Sequence, residues 1–110
     1  MKTKPLLISS EKWIFLTETG KTIVMIMKVR QFAKGISKEF PEGYKLEWIA
    51  YNEENPDEKI ILDNHHGKSL HWHNDEKEEN FSEWISLEET KKLFRQKVVK
   101  KFGLPIELEK

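Results

Sequence analysis

Thr22-Ile23-Val24-Met25-Ile26-Met27-Lys28-Val29-Arg30 contains the longest purely apolar run of the chain, residues 23 to 27. Its period is two. Ile23, Met25, Met27 and Val29 fall on one face of an extended strand, and Val24 and Ile26 on the other, with Lys28 and Arg30 at its wet end. Apolar residues on both faces predict a central strand covered on both sides. The run is far too short to span a bilayer.

Working outward, Lys12-Trp13-Ile14-Phe15-Leu16-Thr17 is rich in aromatic and branched residues and predicts a preceding strand. Glu18-Thr19-Gly20-Lys21 supplies the turn between them, with Gly20 where a positive φ is expected. Leu6-Leu7-Ile8, after Pro5, reads as an edge strand or a frayed terminus. Downstream, Gln31 to Gly43 reads as a loop. Tyr44 to Asn52 alternates as a third strand, and Glu53 to Asp57 marks a reversal. Lys59 to Asp63 gives a fourth strand, and Phe81 to Trp84 a short fifth. Ser86-Leu87-Glu88-Glu89 matches a capping box. The helix it opens is predicted from Leu87 to about Phe102, with Leu87, Phe94, Val98 and Phe102 at helical spacing and Gly103 and Pro105 as its stop. Glu88 and Glu89 in the first turn and Lys100 and Lys101 in the last suit the helix dipole. Trp13, Trp48, Trp72 and Trp84 read as core. Residues 1–110 therefore predict a single α+β domain, an antiparallel four- to five-stranded meander with one C-terminal helix packed on a face.

Composition sets limits on function. The 19 Lys and Arg balance the 19 Asp and Glu, so bulk charge gives no drive toward nucleic acid. The distribution is uneven: residues 53–58 and 75–83 are acidic, and the last helix is basic. With no cysteine, disulfides, zinc thiolates and cysteine nucleophiles are excluded. That composition, without a signal-peptide core or an apolar span, predicts a soluble cytoplasmic protein with no membrane partner.

All four histidines lie in Asp63-Asn64-His65-His66-Gly67-Lys68-Ser69-Leu70-His71-Trp72-His73-Asn74-Asp75. If His71-Trp72-His73 is extended, both imidazoles share one face while Trp72 anchors into the core. Histidine is the side chain suited to taking and giving protons near neutrality. With Lys68, such a pair makes a phosphate-handling set: one ring deprotonates an attacking hydroxyl, the other protonates a leaving oxygen, and the ammonium offsets charge on the phosphorane. His65 joins this set as a candidate. No cofactor is required for that chemistry. A metal is the second reading, with His65, His71, His73 and Asp63 or Asp75 as candidate ligands, although no carboxylate stands at a spacing that fixes a third ligand. The plainest reading makes these residues polar loop formers, with Asp63 and Asn64 satisfying turn backbone. Four histidines confined to one segment favour a functional reading of the cluster as a unit. On the helix, Lys92, Arg95 and Lys100 are candidate contacts to phosphate or to an acidic partner. That leaves a non-enzymatic binding module as an alternative.

The string Leu62-Asp63-Asn64-His65-His66-Gly67-Lys68, then His71-Trp72-His73, then an aromatic-Ser strand and a helix ending Phe-Gly, resembles the TumE-type toxin family. In that family's pattern Asp-Asn, Gly-Lys and His-any-His follow one another at short gaps. Here these are Asp63, Asn64, Gly67, Lys68, His71 and His73, and Phe81, Leu93 and Phe94 match the anchors that follow. The resemblance implies the toxin half of a type II toxin–antitoxin pair, with RNA as target and a cognate antitoxin encoded next to it. Two features depart from the family pattern: the Gln31 to Gly43 loop is long, and the acidic Glu76 to Glu79 run would repel a nucleic-acid backbone if it lay beside the site.

Overall fold

Alternation of apolar and polar residues sorts the chain into strands, and consecutive strands pair side by side. The computed structural model describes residues 7–33, 43–64, 69–74, 79–83 and 85–106. Strands β1 (Leu7–Leu16), β2 (Thr22–Gln31), β3 (Tyr44–Asn52), β4 (Asn55–Asn64), β5 (Ser69–Asn74) and β6 (Glu79–Glu83) form one antiparallel sheet in sequence order. Helix α1 (Leu87–Phe102) follows. The α+β meander with a C-terminal helix is as expected. The histidine segment adds to it: its second half is β5, a sixth strand held between β4 and β6. Residues 34–42, most of the expected loop before β3, lie outside the described residues.

One sheet face carries the core. Ile23, Met25 and Met27 of β2, Leu46, Trp48 and Ala50 of β3, Ile60 and Leu62 of β4, and Leu70 and Trp72 of β5 are buried with Phe94, Val98 and Phe102 of α1. Trp48 meets Phe94 edge-on, with ring centroids 5.5 Å apart. Such pairs add about 1 kcal/mol beyond the area they bury. The helix begins where the sequence indicates: Ser86 Oγ accepts the Glu89 N–H at 3.1 Å, and Ser86 O accepts the Thr90 hydroxyl at 2.7 Å. That second bond lets Thr90 sit buried in the apolar stripe.

Two expectations about burial change. Trp13 is 53% exposed rather than core, because β1 is an edge strand outside the helix footprint. Trp84 lies outside the described residues. Strand β2 is interior to the sheet, but among the described residues a layer covers only one of its faces. On the other face Val24 is nevertheless buried, flanked in register by Ile14 and Tyr51. Shielding by branched and aromatic neighbours within the plane of the sheet replaces the second layer.

The end of α1 is fastened to the first turn. Thr19 donates its hydroxyl to Phe102 O at 2.7 Å, and Glu18 N–H donates to Leu104 O at 2.7 Å. Ile106 N–H donates to Leu16 O at 2.8 Å, and Thr17 bridges to Pro105. Gly103 makes the junction possible, with φ 98° and ψ 170°, a region essentially restricted to glycine. A Cβ there would meet Thr19 Cγ2 at 3.0 Å. Among the described residues no helix is long and apolar enough to cross a membrane.

Gly103→Ala is expected to destabilise the fold by about 1–3 kcal/mol from backbone strain alone. A urea unfolding curve checks this. An unchanged midpoint would show that the junction relaxes without cost.

Candidate functional site

Trp72 determines which way the histidines face. It is buried and stacks on Phe94 at 6.1 Å with the ring planes 21° apart, and Lys97 Nζ lies 4.9 Å from its ring centroid. Because neighbouring side chains of a strand point to opposite faces, His71 and His73 stand on the sheet face away from α1. Strand pairing brings Asp63 to them. In register, Asp63 faces His71 and Ile61 faces His73. His71 Nδ1 lies 3.4 Å from Asp63 Oδ1 and 3.1 Å from His73 Nε2. The two imidazole centroids are 4.0 Å apart and the rings inclined by 66°. The His71 side chain is 13% exposed and that of Asp63 is 26% exposed, so charges here are only partly screened by water.

This geometry differs from a linear relay. A relay through a middle ring uses both of its nitrogens, one toward each neighbour. Here His71 presents the same nitrogen, Nδ1, to both Asp63 and His73. One ligand atom from each of the three residues lies within 4.8 Å of the other two. The three residues therefore bring polar atoms close enough together to share one ion.

The structure joins some of the sequence candidates and separates others. His71 and His73 come together. Lys68 and His65 lie outside the described residues, as does Asp75. Asp63 and Asn64 belong to β4 and are not turn formers. Asn64 is buried at the strand end, where its amide stands in for a peptide group: Oδ1 accepts Leu46 N–H at 2.8 Å and Nδ2 donates to Tyr44 O at 2.6 Å. Lys92, Arg95 and Lys100 are exposed on α1, together with Gln96, beside the half-buried Val99. Since α1 covers the opposite face, the sheet stands between these cations and the histidines. Lys101 lies over the Phe102 ring at 5.8 Å.

Sequence reasoning missed the cations on the histidine side. Rows of residues in register cross that face. One runs Ser10, Lys28, Glu47, Asp63, His71, and the next runs Lys12, Ile26, Ile49, Ile61, His73. Arg30 stands opposite Lys45, and Lys45 Nζ pairs with Glu47 at 3.3 Å. A shallow groove beside Asp63 is lined by Ile26, Lys28, Glu47, Ile49 and Ile61. At the usual strand separation, Lys28 stands roughly 14 Å from His71, three strands away. The signal was present in the alternation of β2, which places Lys28 and Arg30 with Val24 and Ile26, but it needed the cross-strand register to become a site.

No family model matches the chain, and comparison with curated proteins and with solved structures likewise finds no match. What the fold and the site define is a class: a six-stranded antiparallel meander backed by one helix, with a His-His-Asp cluster on its open face.

Adjacent positions of β5 should respond very differently to truncation. Trp72→Ala is expected to cost about 3–5 kcal/mol through the cavity under Phe94. His73→Ala is expected to change stability by about 1 kcal/mol or less. Denaturant midpoints of the two variants distinguish these roles, and equal losses would contradict the assigned facing of the strand.

Proposed function

We propose that the chain is the toxin component of a type II toxin–antitoxin pair, acting on RNA in the cytoplasm through His71 and His73, with a cognate antitoxin masking that face. The observation that carries this reading is the imidazole pair 3.1 Å apart beside Asp63 on the open side of the sheet. Each ring has a second nitrogen outside that contact, Nε2 of His71 and Nδ1 of His73. In the proposed reaction one imidazole takes the proton of a ribose 2′-hydroxyl as its oxygen bonds to phosphorus. The bond from phosphorus to the leaving 5′-oxygen breaks, and that oxygen receives a proton from the other imidazole. Lys68, from the sequence motif, would offset the charge that builds up on the phosphoryl oxygens. The groove of isoleucines beside Asp63, with Lys28 at its far side, supports passage of a strand whose phosphates need cations and whose bases need an apolar floor.

A second reading rests on a different surface. Lys92, Arg95 and Lys100 share the exposed side of α1, and they would dock a nucleic-acid backbone or an acidic protein without chemistry. The intervening sheet makes these two readings separable by mutation.

His71→Ala and His73→Ala are each expected to abolish growth arrest and to lower RNA cleavage by about 10²–10⁴-fold, with an unchanged far-ultraviolet circular dichroism spectrum. If both variants arrest growth as fully as the parent, the assignment is wrong. Cleavage of labelled RNA that persists in EDTA belongs to the imidazoles, and cleavage lost in EDTA moves the chemistry to a metal. RNA binding without cleavage, abolished by Lys92→Glu with Lys100→Glu, identifies the binding module instead.

A further inference from the structure

The geometry points to a binding site for one divalent cation of the zinc class, held by Asp63, His71 Nδ1 and His73 Nε2. This follows from how the three side chains meet, and it does not depend on the toxin reading.

The first argument is proton counting. An imidazole nitrogen carries at most one proton, or one lone pair when unprotonated. His71 Nδ1 has His73 Nε2 at 3.1 Å and Asp63 Oδ1 at 3.4 Å. If Nδ1 carries the proton, that proton is shared between two acceptors. If Nδ1 is bare, it accepts from His73 Nε2–H, but the same lone pair then also faces the carboxylate oxygen of Asp63. One cation between the three side chains would take a lone pair from each.

The second argument is distance. Two ligands bound to zinc at about 2.05 Å with tetrahedral angles lie about 3.3 Å apart. The two measured separations, 3.1 and 3.4 Å, lie on either side of that value. Two imidazoles and one carboxylate also set the class of ion. Imidazole suits zinc, copper, iron and nickel, whereas calcium and magnesium demand oxygen.

The third argument is the scaffold. Asp63 and His71 are direct cross-strand partners, and His73 follows two residues along the same face. Both strands lie inside the sheet, so the ligands need little ordering when the ion arrives. Glu47, the next residue in the row, is paired with Lys45 at 3.3 Å, which limits its competition for the cation. Three protein ligands leave a coordination position for water or for a substrate oxygen, the arrangement of catalytic rather than structural zinc sites.

The experiment titrates Co(II) into the 110-residue chain after chelator treatment, reading the visible d–d absorption. Competition by Zn(II) gives the zinc affinity. One Co(II) per chain is expected, with a band of the intensity that four- or five-coordinate geometry gives. His71→Ala, His73→Ala and Asp63→Asn are each expected to weaken binding by about a hundredfold or more. His66→Ala is expected to leave it unchanged. Unfolding midpoints confirm that each variant is folded, and Asp63→Asn, which keeps the shape of the side chain, serves if a histidine variant is not. The inference is overturned if the parent chain gives only the weak spectrum of the hexaaqua ion, or if the three ligand variants bind as tightly as the parent. Because no RNA is used, the outcomes separate. Binding here without RNA cleavage keeps the site and removes the toxin reading. Cleavage in EDTA by a chain that binds no cobalt does the reverse.

Discussion

The stack of Trp72 on Phe94 is the contact on which the rest depends. A strand has two faces and a side-chain period of two, so a slip of one residue would bury both histidines and expose the indole. Burying an indole against a phenyl ring is favourable by several kcal/mol, whereas burying two imidazoles without partners is unfavourable. That difference fixes the register of β5 against β4, and through it the pairing of His71 with Asp63. The polar cluster is positioned by a hydrophobic decision made on the other side of the sheet.

The same logic separates what could be read from the sequence from what could not. The facing of His71, Trp72 and His73 was legible, because alternation is local. So were the boundaries of α1, since Ser86 and Gly103 carry their own capping chemistry. That the histidine segment ends in a strand was less legible, because Gly67 and Lys68 suggest a bend and His-Trp-His is too short to reveal its period. Asp-Asn is turn chemistry in isolation, so the sequence leaves Asp63 open between the end of the fourth strand, a turn former and a metal ligand. Its place opposite His71 is set by strand pairing, and register is a non-local quantity that no short window carries. Residue type alone puts Trp13 in the core, but burial at a sheet edge depends on where the helix lies.

The sheet also divides the molecule's charge. Cations on α1 and imidazoles on β5 are near each other in sequence terms but face opposite ways in space. Any single extended ligand touching both would have to pass around an edge of the sheet. The open face has its own cations at Lys28 and Arg30, supplied by the strand that looked most apolar. A neutral chain thus presents two chemically distinct surfaces, one where isoleucine and imidazole lie beside two cations, the other a helix side rich in ammonium and guanidinium groups.

The Thr19 to Phe102 hydrogen bond joins the first hairpin to the end of α1. During synthesis the strands appear one after another, but the helix that covers them comes last. At ordinary elongation speeds of about 5–20 residues per second, roughly 3–10 s separate Trp48 from Phe102 at the ribosome. For that interval the indole of Trp48 has no helix to lie against. The nascent sheet therefore passes through a sticky stage whose length is set by translation speed, and slow codons between those for Trp48 and Phe102 would prolong it.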